Sequence, residues 1–229
     1  MPQPIRPDPP PERLRLYSYW RSSAAYRVRI GLNLKGLRHD ILPVHLLRDG
    51  GEQHSEAFAA ANPQKLIPVL QHGERMLRQS LSILEYIDEI WPSPPLLPAV
   101  ARDRQRARAL AQLIACDVHP LNNLRVMRYL DDTWGVPQPE RDEWTRHWMV
   151  EGLRAFEEIL SNHPSTGTFC EGELPTIADC CLIPQLYNAH RFGVDLQPYP
   201  TIRRIEAACL ALPAFDAARP ERQPDAPGN

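Results

Sequence analysis

The chain has 229 residues, 43% of them hydrophobic, and a formal net charge of −2 at pH 7. This length suits one large domain or two smaller ones, and the hydrophobic content is enough to bury a core. The nearly balanced charge does not favour nucleic acid or an anionic membrane as a partner, and no apolar run is long enough to span a bilayer.

The N-terminus and the cysteines both predict a cytoplasmic protein. Residues 1–13 are rich in proline and lack the basic and apolar regions of a signal peptide, so we expect a disordered lead-in. The five cysteines are odd in number and form no C-x-x-C motif. We therefore expect reduced thiols in the cytoplasm rather than a disulfide framework.

Short strand-like and helix-like segments alternate between residues 14 and 91. The apolar runs predict strands at Leu14–Tyr19, Asp40–Val44, Ile67–Leu70 and Arg75–Arg78. Helical periodicity predicts helices at Ser23–Lys35, Glu52–Ala61 and Ser80–Trp91. The order β-α-β-α-β-β-α predicts a small α/β domain with a mixed sheet over residues 14–91.

The chain changes character at a proline-rich segment, residues 92–100, which we interpret as a linker. The segment after it shows only helical periods, at Ala101–Asp132, Glu140–Asn162, Thr176–His190 and Thr201–Leu212. We therefore expect an α+β protein whose second domain, residues 101–212, is all-helical, followed by a polar tail at residues 213–229. The sequence Thr176-Ile177-Ala178-Asp179 is typical of a helix capping box, so we assign it to folding.

Two serines, Ser22 and Ser23, follow the first predicted strand and begin the first predicted helix. A helix start leaves backbone N–H groups free, and these favour a nearby anion. A serine hydroxyl at this point could hydrogen-bond a thiolate and keep it ionised at neutral pH. The alternative is that Ser22 or Ser23 only caps the helix, as serine often does.

Two further motifs occur in the same predicted domain. Pro68 stands at the start of a predicted strand, where it cannot donate a hydrogen bond to the ladder. A cis Ile67–Pro68 bond would free the Ile67 backbone to pair with an extended ligand, whereas the alternative is an ordinary trans bond. Gln79-Ser80 begins a helix directly after a strand, so Ser80 is either a plain N-cap or a hydroxyl donor to a carboxylate.

In order and spacing, these motifs resemble the glutathione transferase superfamily and, within it, the zeta class of maleylacetoacetate and maleylpyruvate isomerases. The resemblance runs from about Leu14 to Pro224 and rests on residues 17–23, 27–30, 62–64, 79–81, 119–124, 184–185, 188–189, 191–192 and 222–225. One departure is Ala24, because the family signature Ser-Ser-Cys has a cysteine at this position. Its loss puts in doubt any side activity that needs the thiol, but not the isomerase activity.

The resemblance implies a homodimer whose first domain is thioredoxin-like and binds glutathione, with an acidic substrate between the two domains. Ser22 would stabilise the glutathione thiolate, and Ser23 is the next candidate for this catalytic role. The other glutathione-binding residues that the resemblance implies are Ile67, Pro68, Gln79 and Ser80.

A dicarboxylate substrate needs cations, and the planar guanidinium group suits a carboxylate. Our candidates are Arg21, Arg125 and Arg191, of which Arg21 and Arg191 are also candidate catalytic residues. Each of the three could instead be a solvated surface charge.

The segment that begins at His119 supplies the remaining candidate substrate residues, which are His119, Asn122 and Asn123. His119 could touch the substrate or act on protons, although a lone histidine is equally often a structural hydrogen-bonding residue. The histidines and cysteines show no metal-ligand spacing, so we expect no metal.

Three functions stay open on these observations. The first is a glutathione-dependent isomerase that adds a thiolate to the cis double bond of a maleyl keto acid and releases the trans isomer. The second is a broader glutathione transferase that conjugates electrophiles, and the third is a non-catalytic binding protein. Ser22 and the Gln79-Ser80 pair argue against the third. Arg21 and Arg191 favour the first over the second, because general electrophiles are mostly apolar.

Overall fold

The computed structural model describes residues 13–228. The predicted lead-in therefore lies outside the described residues, apart from its last residue, Arg13, which forms an ion pair with Asp40. No helix in the described part of the chain is both long enough and apolar enough to cross a membrane.

The N-terminal part is built on a four-stranded mixed sheet in the order β2-β1-β3-β4. Its strands are β1 (Leu14–Ser18), β2 (His39–Pro43), β3 (Val69–His72) and β4 (Arg75–Arg78). Strand β1 pairs in parallel with β2 and antiparallel with β3, and β3 and β4 form a hairpin. The helices of this part are α1 (Ser23–Leu34), α2 (Glu56–Ala61) and α3 (Ser80–Ile90). The predicted order of elements and the mixed sheet are confirmed.

The C-terminal part is helical, and no strand occurs between residues 79 and 228. Its helices are α4 (Ala101–Gln112), α5 (Leu124–Trp134), α6 (Gln138–Ser161), α7 (Ile177–Arg191), α8 (Pro200–Leu210) and α9 (Pro213–Ala218). The α+β fold class is thereby confirmed. One buried apolar cluster extends from Leu16 on β1 and Val28 on α1 to Ile177 on α7, so the two parts share a core. The domain boundary at residues 92–100 stays a prediction.

The helical period predicted over Ala101–Asp132 is interrupted in the structure. Helix α4 ends at Gln112 and is followed by a π-helical turn, Leu113–Val118, and a 3-10 turn, His119–Asn122. Pro120 has no N–H to continue an α-helix, and Asn123 starts α5 by accepting a hydrogen bond from Arg125 N at 3.1 Å. This break places His119 and Asn123 on a turn, where their side chains can reach a site.

The predicted polar tail is wrong for residues 213–228. This segment contains α9 and a 3-10 turn, Pro220–Arg222. Phe215 and Ala218 are fully buried, and Asn33 Nδ2 on α1 donates to Ala214 O at 3.0 Å. The few apolar side chains of this segment are therefore enough to pack it back against α1.

The predicted capping box at Thr176 is confirmed, and it holds the start of the almost completely buried helix α7. The Asp179 carboxylate is fully buried and accepts hydrogen bonds from Thr176 N at 2.7 Å and from Cys170 N at 2.9 Å. Thr176 Oγ1 in turn accepts from Ala178 N at 3.2 Å. One carboxylate thus joins the loop before α7 to the helix itself.

We expect Asp179→Ala to lower the free energy of unfolding by at least about 3 kcal/mol, because it leaves two buried N–H groups without acceptors. The measurement is urea denaturation followed by circular dichroism. The matched control is Asp132→Ala on the exposed surface of α5, for which we expect a change within about 0.5 kcal/mol. A loss below about 1 kcal/mol for Asp179→Ala would contradict this role of the capping box.

Candidate active site

Ser22 lies where β1 leads into α1 and is the N-cap residue of that helix. Its Oγ accepts a hydrogen bond from Ala25 N at 3.2 Å, and its own N–H donates to Tyr19 O at 2.9 Å. The cap uses a lone pair of the hydroxyl oxygen and leaves the hydroxyl hydrogen available to another acceptor. Capping and thiolate binding by Ser22 are therefore compatible. Ser23, the first helical residue, is buried, and its proposed role stays a prediction.

The Ile67–Pro68 peptide bond is cis, as predicted. The loop before it is held by the buried Asn62, whose Nδ2 donates to Leu66 O at 2.6 Å and whose Oδ1 accepts from Gln64 N at 3.1 Å. Ile67 and Pro68 line a cavity of about 180 Å³.

Gln79, rather than Ser80, is the N-cap residue of α3. Its φ of 69° lies in the left-handed region that residues other than glycine rarely adopt. Ser80 is therefore the first helical residue, and its Oγ accepts a hydrogen bond from Arg27 NH1 at 3.1 Å. That bond uses a lone pair of the oxygen, so the hydroxyl hydrogen of Ser80 is free to donate to a carboxylate. Gln79 and Ser80 both line the cavity that Ile67 lines.

Arg27 is a buried cation beside the same cavity, with only 3% of its surface exposed. Its NH1 donates to Ser80, whereas no residue between 13 and 228 gives a hydrogen bond partner to its Nε or NH2. Burial lowers the pKa of Arg27, but arginine remains protonated in proteins. This unneutralised charge favours an anionic ligand in the cavity.

The turn after α4 and the start of α5 bring His119, Asn123 and Arg125 to this cavity. Burial of the ring, and after it the charges of Arg27 and Arg125, lower the pKa of His119 to about 3. The imidazole is therefore neutral at pH 7. It can accept or donate a hydrogen bond, but it adds no charge to the cavity.

Asn122 does not line the cavity. Its side chain is buried, and its Nδ2 donates to Val118 O at 3.0 Å, which closes the turn. The structure therefore gives Asn122 a local contact within the turn, in contrast to Asn123.

Arg21 and Arg191 form a second group of candidate residues outside the cavity. The Cζ atom of Arg21 lies 5.3 Å from the ring centre of Trp20. Arg191, at the end of α7, lies over the Phe192 ring at 4.2 Å and donates to Asn188 Oδ1 at 2.8 Å. Burial and, after it, the charge of Arg21 lower the pKa of Arg191. A second positive charge acting on Arg191 favours an anionic ligand beside it.

Arg27 was not among the predicted site residues, although it lies in a helix with many apolar residues. Its neighbours Ala25, Val28 and Ile30 are fully buried, so a charged residue among them was itself a signal. A buried arginine must either find acceptors or serve a ligand.

Four of the five cysteines are buried, which disfavours a thiolate. All five are free; Cys116 is exposed and the other four are buried. Burial raises the pKa of the Cys181 thiol to about 11, so it is not ionised at pH 7. Among residues 13–228, no group of three or more His, Cys, Asp or Glu side chains is placed to hold a metal ion.

Comparison with known sequences agrees with this arrangement. Residues 16–95 match the family described as glutathione S-transferase, N-terminal domain. A probable maleylacetoacetate isomerase of Vibrio cholerae is 51% identical over 93% of this chain and 98% of its own length. A maleylpyruvate isomerase of a Ralstonia species is 47% identical over 93% of this chain and 99% of its own length.

Solved structures give the same result. The holo structure of a maleyl pyruvate isomerase, a bacterial zeta-class glutathione S-transferase, superposes with a TM-score of 0.90 at 46% identity, over 93% of this chain and 99% of that one. The maleylacetoacetate isomerase of Methylobacterium extorquens AM1, with bound malonate and glutathione, gives a TM-score of 0.90 at 45% identity over the same shares. The chain therefore belongs to the zeta class of the glutathione transferase superfamily.

Proposed function

We propose that the protein is a glutathione-dependent cis–trans isomerase of a maleyl keto acid, either maleylacetoacetate or maleylpyruvate. The observation that carries the proposal is that three separate elements contribute to one cavity of about 180 Å³. These are the Ile67–Pro68 loop, the start of α3 at Ser80 and the turn at His119. The relatives that share this fold at 45–51% identity are named as isomerases of these two keto acids.

The residues of the cavity fit glutathione, which is an extended tripeptide with two carboxylates. The Ile67 backbone offers peptide groups to an extended ligand. Ser80 offers a hydroxyl hydrogen, and the start of α3 offers free backbone N–H groups. The buried Arg27 adds positive charge beside them. When bound, glutathione supplies a thiolate that adds reversibly to the cis double bond and allows it to rotate.

Ser22 is the group of this chain that we propose for keeping the thiol ionised. A free thiol has a pKa near about 8.5, so lowering it by about two units, or about 2.7 kcal/mol, makes most of it thiolate at pH 7. A hydroxyl donor and the N-terminus of the 12-residue helix α1 both favour the charged form.

Arg21 and Arg191 are the groups that we propose for holding the carboxylates of the keto acid. Their guanidinium groups lie within electrostatic reach of each other, and each can meet two carboxylate oxygens. Arg125, which lines the glutathione cavity, is the third candidate. The neutral His119 and Asn123 offer hydrogen bonds there without adding charge.

The direct test follows the absorbance of maleylacetoacetate and of maleylpyruvate with and without glutathione. We expect isomerisation of at least one of them that depends on glutathione and does not consume it. Conjugation of chlorodinitrobenzene without isomerisation of either keto acid would instead favour a general transferase. Glutathione binding without either activity would favour a non-catalytic binding protein.

We further propose a cytoplasmic homodimer. The four buried free thiols support a reducing compartment, and the dimer rests on the family resemblance. Sedimentation equilibrium should give a mass of about 52 kDa, which is twice the 26.2 kDa of one chain. A single species of 26.2 kDa at micromolar concentration would contradict the dimer.

We expect Ser22→Ala to lower turnover by about one to three orders of magnitude while glutathione still binds, because one donor to the thiolate is lost. A thiolate absorbance titration of the bound complex should show a raised pKa. Ser22→Gly is the matched variant, because glycine is nearly as good an N-cap as serine but has no hydroxyl. If only Ser22→Ala loses activity, Ser22 acts as a cap and Ser23 becomes the next candidate.

We expect Arg191→Ala to raise the KM for the keto acid by about 10- to 150-fold, since a charge-assisted hydrogen bond is worth about 1.5–3 kcal/mol. Arg191→Lys should recover only part of this, because it keeps the charge but loses the planar fork. Arg21→Ala should affect turnover as well, since Arg21 adjoins Ser22. Steady-state kinetics with both substrate types is the measurement.

Two controls accompany the arginine variants. Conjugation of the neutral chlorodinitrobenzene should change little, because it has no carboxylate. Arg154→Ala, an exposed arginine that pairs with Glu151 on α6, should leave both reactions unchanged. An equal effect of Arg191→Ala on both substrate types would show that Arg191 is structural.

A further inference from the structure

We infer that the C-terminal segment 218–225, here called the clasp, is a positioning element that holds the Arg21 and Arg191 guanidinium groups in place for the keto acid. The inference rests on the proposed function, because it assigns these two arginines to substrate binding. It also gives a role to the segment whose sequence had predicted only a polar tail.

The clasp fixes the backbone of Trp20 directly at its N–H group and, through Arg29, at its carbonyl group. Asp225 Oδ2 accepts a hydrogen bond from Trp20 N at 2.8 Å. On the other side, Arg29 NH2 donates to Trp20 O at 2.9 Å, and Arg29 Nε donates to Ala218 O of the clasp at 3.0 Å. Arg29 is 1% exposed, so this connection is shielded from water. The residue directly after this fixed peptide is Arg21.

The same buried guanidinium group extends the connection along the end of β1. Its NH1 donates to Ser18 Oγ at 3.0 Å and to Tyr19 O at 3.4 Å. Arg29 thus contacts three consecutive residues that lead into Arg21 and Ser22. Any shift of the clasp would be transmitted to this loop through one rigid, planar group.

The clasp also contacts the helix that carries Arg191. Tyr187 OH on α7 donates to Glu221 Oε1 of the clasp at 2.7 Å. Tyr187 lies one turn before Arg191, and the charges of Arg191 and Arg21 both act on its phenol. The clasp therefore meets both elements that carry the arginine pair.

Two like charges need such a restraint when no substrate is bound. Burial and, after it, the charge of Arg21 lower the pKa of Arg191, and two like charges favour separation of the side chains. Long arginine side chains would otherwise move apart into solvent. Because the backbone is fixed beside each arginine, less conformational entropy is lost when the keto acid binds.

The affinity for glutathione should not depend on the clasp. The cavity with Ile67, Ser80 and Arg27 has no lining residue from the segment 218–225. A positioning role thus predicts a split, in which keto-acid affinity changes and glutathione affinity does not. A general loss of stability would change both.

The test uses the full chain and compares Asp225→Ala, Asp225→Asn and Tyr187→Phe. The probes are the KM for the keto acid and calorimetric binding of malonate in the presence of saturating glutathione. Asp225→Ala should weaken both by about 10- to 100-fold, as expected for a displaced binding group. Asp225→Asn keeps an acceptor for Trp20 N and should recover most of the loss. Tyr187→Phe should weaken both by about three- to tenfold.

The matched control is Glu151→Ala, because Glu151 is an exposed carboxylate on α6 that pairs with the exposed Arg154, outside the clasp. It should change neither probe. In all variants the Kd for glutathione should stay within about twofold of the wild type. If Asp225→Ala does not fold, Tyr187→Phe decides, since it removes a single hydroxyl.

The inference is overturned if an active wild type isomerises the keto acid and the two variants leave its KM unchanged, or change keto-acid and glutathione affinity equally. A wild type that binds glutathione but neither binds malonate nor isomerises a maleyl keto acid overturns the proposed function, and the inference with it. The two failures are therefore distinguishable from the wild-type measurements alone.

Discussion

The burial of two arginines on one helix is the constraint around which this structure is arranged. Arg27 and Arg29 on α1 are 3% and 1% exposed, and a buried guanidinium group must find acceptors or lose much of its solvation energy. Arg29 is satisfied by one hydroxyl and three backbone carbonyls. Those acceptors come from the end of β1 and from the C-terminal segment, so satisfying one side chain fixes where both must lie.

Only part of the hydrogen-bonding capacity of Arg27 is used, and the remaining charge lies beside the cavity. One nitrogen meets Ser80, and the rest of the group is without a hydrogen bond partner in the described part of the chain. The same charge contributes to keeping His119 neutral. The two buried arginines thus have different roles: Arg29 connects separate parts of the polypeptide, and Arg27 favours an anion in the cavity.

The sequence predicted those features whose cause is local. A serine between a strand and a helix, a proline at the start of a strand and a Thr-x-x-Asp helix start each depend on a few neighbouring residues, and all three predictions agree with the structure. The mispredicted tail, in contrast, depends on distant contacts. Residues 213–228 have too few apolar positions to show periodicity, and their place is set by α1 instead.

The candidate site shows the same division. The sequence predicted Ser22, Ile67 and Ser80 as site residues, and two of them line one cavity with His119. The contact between Tyr187 and Glu221 could not be predicted, since it joins residues that are far apart in sequence, whereas the place of Arg27 among apolar residues was a signal that was not used. The break in the predicted helix at Pro120 was visible in the sequence, but helical periodicity alone does not reveal it.

The apolar core that is common to both parts of the chain determines how the protein unfolds. Because Val28 on α1 and Ile177 on α7 belong to one cluster, neither part can open without exposing apolar surface of the other, and we expect a single cooperative melting transition. A ligand that binds only the folded state then protects the entire chain by mass action. Cellular glutathione would in this way shield α8 and α9 from proteolysis, although neither helix contributes a residue to the cavity. A drop in the cellular glutathione concentration would shorten the lifetime of the protein as well as lower its activity.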